Sequence, residues 1–264
     1  MSRTLLVSLN TLILAGILCI NALAGSGILG GKTIGEISRK YDTLITPAGY
    51  AFSIWGLIYF LLTAFIVFQW IVLNKKENRE IIDSTGVFFL ISGLANIGWI
   101  FLWLNDLIGL SVLAMLVLLI SLIILVFRLK LEIWDAPVRI IMFVWWPFVF
   151  YLGWIIIATV ANLSAFFTYL SWDGSPISPQ LWTVILIVIA TGIYSYLVFT
   201  RNLRESALVG IWAFVAIAAR QGSTHTEITI TAITASVILL AEIMYHGYRN
   251  RKTSPFEKLK RGEF

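Results

Sequence analysis

The chain has 264 residues, 59% of them hydrophobic and 12% charged, with a mean hydropathy of +0.90 and a formal net charge of +5. That balance excludes an ordinary soluble domain and makes the chain a polytopic membrane protein. The single cysteine, Cys19, excludes an intramolecular disulfide and a thiolate metal cluster, and the two histidines, His225 and His246, read as structural, so no metal site is expected.

A helix needs about 20 mostly apolar residues to cross ~30 Å of hydrocarbon. Eight segments meet or approach that length: 4–23, 48–72, 87–104, 107–127, 138–161, 181–200, 207–219 and 228–248. The seventh is the shortest. The runs are continuously apolar and lack the strand-like alternation of a barrel wall, so the fold class is all-α. At the N-terminus, Arg3, the first apolar run and the "NALAG" at 21–25 imitate a secretory signal with an Ala-x-Ala site. The run is longer than the 7–15 residues of a signal core, and retention of the first helix is expected. The Gly-rich loop at 25–47 is too long for a tight hairpin and has the length to fold over the mouth of a bundle. The polar "SWDGSPISPQ" at 171–180 separates a five-helix unit, 1–168, from a three-helix extension with a basic tail, 169–264.

Of the nineteen Lys and Arg residues, fifteen fall at the termini or in the loops on the side of the termini; Lys32, Arg39, Lys40 and Arg220 fall on the other. Cytoplasmic loops accumulate positive charge, so both termini are expected in the cytoplasm of a bacterial inner (plasma) membrane. The basic balance then orients the chain in its lipid bilayer and calls for no nucleic acid. A homodimer is left open.

Three helices carry aromatic stripes at helical spacing. The second has Phe52, Trp55 and Tyr59, continued by Thr63. The third has Ser92, Asn96, Trp99 and Trp103, and the fifth has Tyr151, Trp154, Ala158 and Asn162. Taken singly, each stripe reads as helix packing, with each Asn bonding to a neighbouring helix. Taken together, they build a cavity with flat π walls and few hydrogen-bonding points, suited to a planar apolar molecule. In the extension, Glu242 lies one turn from His246 and is placed to pair with it. Arg220 reads as an interfacial anchor, and 240–249 fits a loose sterol-contact pattern.

These same residues resemble the TspO/MBR family, the tryptophan-rich sensory proteins related to translocator protein. "IWGLIY" at 54–59 is similar to the family's V-W-G/T-x-L-Y, "LANIGW" at 94–99 to its A-L-N-x-A-W, and "YLGWIIIATVAN" at 151–162 to its Y-L-x-W…L-N. The resemblance implies a five-helix bundle whose pocket takes tetrapyrroles such as protoporphyrin or, in some members, sterols. By position, Trp55 and Tyr59 would form one wall, Asn96 with Trp99 a second, and Trp154, Ala158 and Asn162 a third, with Pro47 at the approach to helix two. The family's Gly-Pro before its helix-two Trp reads Ser53-Ile54 here, and Leu163 replaces a Tyr after the helix-five Asn. The extension is absent from short members.

The expectation is therefore a receptor or sensor for a small hydrophobic ligand, with no obligatory cofactor and a tetrapyrrole as candidate ligand. A transporter of a small amphipathic molecule is the alternative; it would call for inverted repeats and ion-coupling groups at mid-membrane. No nucleophile and base pair or phosphate loop supports an enzyme, although the light-driven porphyrin degradation proposed for relatives stays open.

Overall fold

In a computed structural model, residues 1–172 and 174–264 are described; Asp173, in the polar loop after the fifth long helix, lies outside them. The chain runs through α1 (Arg3–Gly25) and α2 (Ile34–Lys40), then through a 3-10 turn, Gly49–Ser53, into α3 (Ile54–Lys75). The short α4 (Glu80–Thr85) precedes α5 (Phe88–Leu104) and α6 (Ile108–Arg128). α7 (Val138–Ile140) continues through a π turn, Ile141–Trp145, into α8 (Trp146–Tyr169). α9 (Pro179–Arg201), α10 (Arg204–Gln221) and α11 (Thr226–Arg249) follow, and α12 (Pro255–Lys260) lies in the tail. Among the described residues there is no strand.

Among the described residues, six helices are long and apolar enough to cross a membrane. The other two long helices are α5, whose 17 residues span roughly 25 Å at 1.5 Å each, and α10, whose 18 include Arg204, Glu205 and Arg220. α10 is longer than the apolar run at 207–219 suggests, and at its C-terminal end Arg220 finds protein partners in the loop before α3. The π turn has a local cause. Pro147 lacks an N–H and its ring crowds the carbonyl four residues earlier, and a widened turn just before it absorbs the mismatch.

α1, α3, α8, α6 and α5 neighbour one another in that order and close a five-membered ring. Polar groups stitch several of its seams: Asn10 Nδ2 donates to Gln69 Oε1 between α1 and α3 at 3.1 Å, and Asn21 Nδ2 donates to Asn96 Oδ1 between α1 and α5 at 3.0 Å. The remaining long helices pack on one another and dock on the ring through α10, which lies along α8. Glycine sets that approach. A Cβ on Gly153 would stand 2.9 Å from the Ser206 backbone, and one on Gly210 would stand 2.6 Å from the Tyr194 ring. Tyr194 crosses α10 over Gly210, and its hydroxyl donates to the Gly153 carbonyl at 2.7 Å, so α8, α9 and α10 are pinned at one point.

The loops sort onto two faces. On the face of the termini, Arg3 pairs with Asp83 through two nitrogens, and Arg128 Nε donates to Ser84 O at 2.7 Å. The tail folds back so that Val138 N donates to Glu263 O at 3.2 Å, while the fully buried Lys258 ammonium bridges Asp135 and Glu263. On the opposite face, Lys32 and Lys40 meet Asp106, whose carboxyl the Lys40 hydrogen bond holds below the usual carboxylate range. Both termini therefore share a face.

Two sequence expectations are corrected. Asn250, not Glu242, pairs with His246: its Nδ2 lies 3.2 Å from the ring Nδ1 and Phe199 packs edge-on, while Glu242 Oε2 is buried without a hydrogen-bond partner among the described residues. Residue 250 is also one turn from residue 246, on the C-terminal side where the helix ends and a short polar side chain folds back. Arg220 is no headgroup anchor, since its guanidinium turns inward onto the loop before α3.

Two measurements check this packing. Gly153→Ala forces a methyl against the α10 backbone and is expected to cost about 1–3 kcal/mol, read as a lower Tm in detergent, while Gly98→Ala, with open space at its Cβ, leaves Tm within error. In the loop between α6 and α7, burial and then the Glu205 charge push the Glu132 carboxyl up to about 9, against the pull of Arg204. Folding therefore retains a proton that the unfolded chain releases above about 4.5, and stability falls as pH rises from there to about 9. Glu132→Gln is expected to lessen that slope, by at most about 1.4 kcal/mol per pH unit, in melts recorded between pH 6 and 8.5.

Candidate functional site

α3 starts just after the 3-10 turn, and its first two turns aim Trp55 and Tyr59 along one face toward α8. The two rings, one turn apart, stack at 5.3 Å with 23° between planes. From α8, Tyr151 meets Trp55 edge-on at 5.8 Å and Trp154 does so at 6.3 Å, while Phe52 packs edge-on to Trp154 at 5.7 Å. Stacked and edge-on pairs set the positive ring edge against the negative face, which favours this arrangement beyond area burial alone. Tyr151 and Trp154 are buried; Phe52, Trp55 and Tyr59 are half-buried. No hydrogen bond crosses the α3–α8 seam among the described residues, so at this end rings and aliphatic side chains close it.

A polar chain borders the cluster. Asn21 of α1 donates to Asn96 of α5, which donates through Nδ2 to the Tyr151 hydroxyl at 3.2 Å. Asn96 is 1% exposed, a depth at which an unpaired amide would be costly. The Tyr59 hydroxyl, also buried, has no hydrogen-bond partner among the described residues.

The rest of the α5 stripe belongs to a second cluster. Trp99 Nε1 donates to Asn162 Oδ1 at 2.9 Å, and Asn162 Nδ2 donates to Ser111 Oγ of α6 at 3.0 Å. Trp103 stacks on Trp99 at 5.6 Å and donates to the Ile34 carbonyl, tying the loop helix α2 to α5. Ala158 is half-buried one turn from both Trp154 and Asn162, and Pro47 is buried just before the 3-10 turn. The structure thus places Phe52, Trp55, Tyr59, Asn96, Tyr151 and Trp154 in one cluster and Trp99, Trp103 and Asn162 in a second.

A family model described as TSPO-like protein matches residues 7–245. The chain belongs to the TSPO-like protein family. The match runs from α1 into α11, so it takes in the ring and the three further long helices together. No curated protein and no solved structure matches the chain significantly.

Sequence reasoning missed three contributors to this end of the TSPO-like ring. Asn21 sits in the stretch that imitates a cleavage site, and Ser111 is one small hydroxyl in an apolar run. The signal available for Asn21 was an amide near the end of an apolar helix, which needs a protein partner wherever lipid excludes water. The third, the contact of α10 with the loop before α3, joins residues more than 150 positions apart and leaves no local pattern.

Asn162→Leu strands the Trp99 indole N–H and one Ser111 partner. It is expected to cost about 1–3 kcal/mol, seen as a lower detergent Tm together with a shifted tryptophan emission maximum.

Proposed function

We propose that the aromatic cluster between α3 and α8 is a binding site for a planar hydrophobic ligand of the tetrapyrrole class, and that the protein acts as a membrane receptor or sensor for it. The observation that carries this reading is the Tyr59 hydroxyl. It is a buried donor without a partner among the described residues, set beside the stacked Trp55 ring and a seam that no hydrogen bond crosses. Buried polar groups are nearly always satisfied, and a ligand that slides its plane between the rings would bring an acceptor, such as a propionate oxygen, to that hydroxyl. The flanking rings supply π surface to such a plane, and the Asn21–Asn96–Tyr151 chain supplies a polar edge. We assign the site binding and no catalytic step.

We further propose a plasma-membrane location with the shared face of the termini in the cytoplasm. The loops and tail that come together on that face hold fifteen of the nineteen Lys and Arg residues, the asymmetry that orients helical membrane proteins.

The test is a titration of detergent-purified protein with protoporphyrin IX, following tryptophan quenching. Saturable quenching is expected for the wild type. Tyr59→Phe should weaken binding about fivefold to tenfold, the effect of one hydrogen bond of about 1–1.4 kcal/mol, without lowering Tm, because it removes an unsatisfied hydroxyl. Asn96→Ala and Trp55→Leu should also weaken binding. Linear quenching indifferent to all three changes would overturn the reading and leave the stripes as helix packing.

A further inference from the structure

The segment between α2 and α3, residues 41–53, has little structure of its own. Its local backbone bonds include Thr46 N to Thr43 O and Ala51 N to Ala48 O, and neither the 3-10 turn nor α3 has a side-chain cap. The C-terminal half of α10 supplies what is missing. Arg220 Nη1 donates to the Thr43 and Thr46 carbonyls at 3.3 and 3.0 Å, and its Nη2 pairs with Asp42. Gln221 Nε2 donates to Leu44 O at 2.6 Å. Trp212 Nε1 donates to Ala51 O at 3.0 Å while its ring meets Tyr50 edge-on at 5.3 Å, and Ala48 N donates to Ala216 O at 3.0 Å.

These contacts divide by chemistry. Arg220 spans three acceptors with one planar fork, which an ammonium could not do in a single geometry. Gln221 is 6% exposed, so its bond to Leu44 O lies in a partly dry setting where losing it leaves a buried donor. Trp212 and Ala216 grip the backbone at 48–51, immediately ahead of Phe52 and Trp55. The position of those two rings over the seam therefore depends on α10 as well as on α3.

We propose that α10 is a latch, with Trp212, Arg220 and Gln221 as positioning residues that hold segment 41–53 closed over the aromatic cluster, and that α9 and α11 serve to brace it. In its consequence for ligand access this rests on the cluster being the ligand site; in its consequence for the segment it does not. The extension then sets how fast a ligand enters and leaves, while the ring sets what binds.

Two readouts on the full chain separate these layers. The first is hydrogen exchange of residues 41–53 without ligand in the wild type, Arg220→Ala, Arg220→Lys and Trp212→Phe. Protection there is expected to fall tenfold or more in Arg220→Ala and by a smaller factor in Arg220→Lys and Trp212→Phe, with α9–α11 unchanged. The second is stopped-flow quenching by protoporphyrin IX, in which association and dissociation should both accelerate about tenfold in Arg220→Ala while Kd stays within about threefold. Unchanged exchange at 41–53, or an equal loss of protection throughout α9–α11, overturns the latch. If the wild type shows no saturable porphyrin binding, the ligand reading fails, and the exchange experiment still decides the latch.

Discussion

Inside a bilayer a polar group can find partners only in protein, and in this chain that constraint determines how the helices are seamed. Asn10 meets Gln69 between α1 and α3, Asn21 meets Asn96 between α1 and α5, and Asn96 reaches Tyr151 on α8. Asn162 joins α5 and α6 to α8 by accepting from Trp99 and donating to Ser111. Lipid gives apolar helices little reason to associate with one another in one register rather than its neighbours, whereas a buried amide has one good register. Each bond is individually modest, but together they set the register of the α1–α3, α1–α5, α5–α8 and α6–α8 contacts.

The α3–α8 seam is built differently. Rings close it, Trp55 against Tyr151 and Trp154 near one end and Phe65 against Phe148, at 4.8 Å, further along. Parting rings from rings leaves no unpaired donor or acceptor, whereas parting a seam crossed by hydrogen bonds does. The extension bears on the aromatic seam from outside: α10 docks along α8 through Gly153 and, at its far end, grips the backbone that leads into α3. One helix thus touches both sides of the aromatic seam.

Much of this was legible beforehand. The apolar runs and the aromatic stripes follow from hydropathy and helical spacing, because those signals are local and recur every turn. The spacing puts Trp55 with Tyr59 on one face of α3 and Tyr151 with Trp154 on one face of α8, and in the structure Trp55 meets both α8 rings. It did not tell that Trp99 and Trp103 turn from Asn96 toward Asn162 and α2, since neighbouring positions on one helix diverge in direction and only the packing partners decide which face is used.

By itself the sequence determined that the chain is helical and membrane-spanning, where its helices lie, and which faces carry bulk and amides, since hydrophobic transfer and backbone hydrogen bonding act on each segment separately. The tertiary structure alone decided the partners of those faces: Asn21 completing the chain to Tyr151, Asn250 rather than Glu242 beside His246, and Arg220 turned from a presumed headgroup contact to the loop before α3. Such pairings join positions up to 178 residues apart, and an ion or amide takes whichever partner folding places within reach.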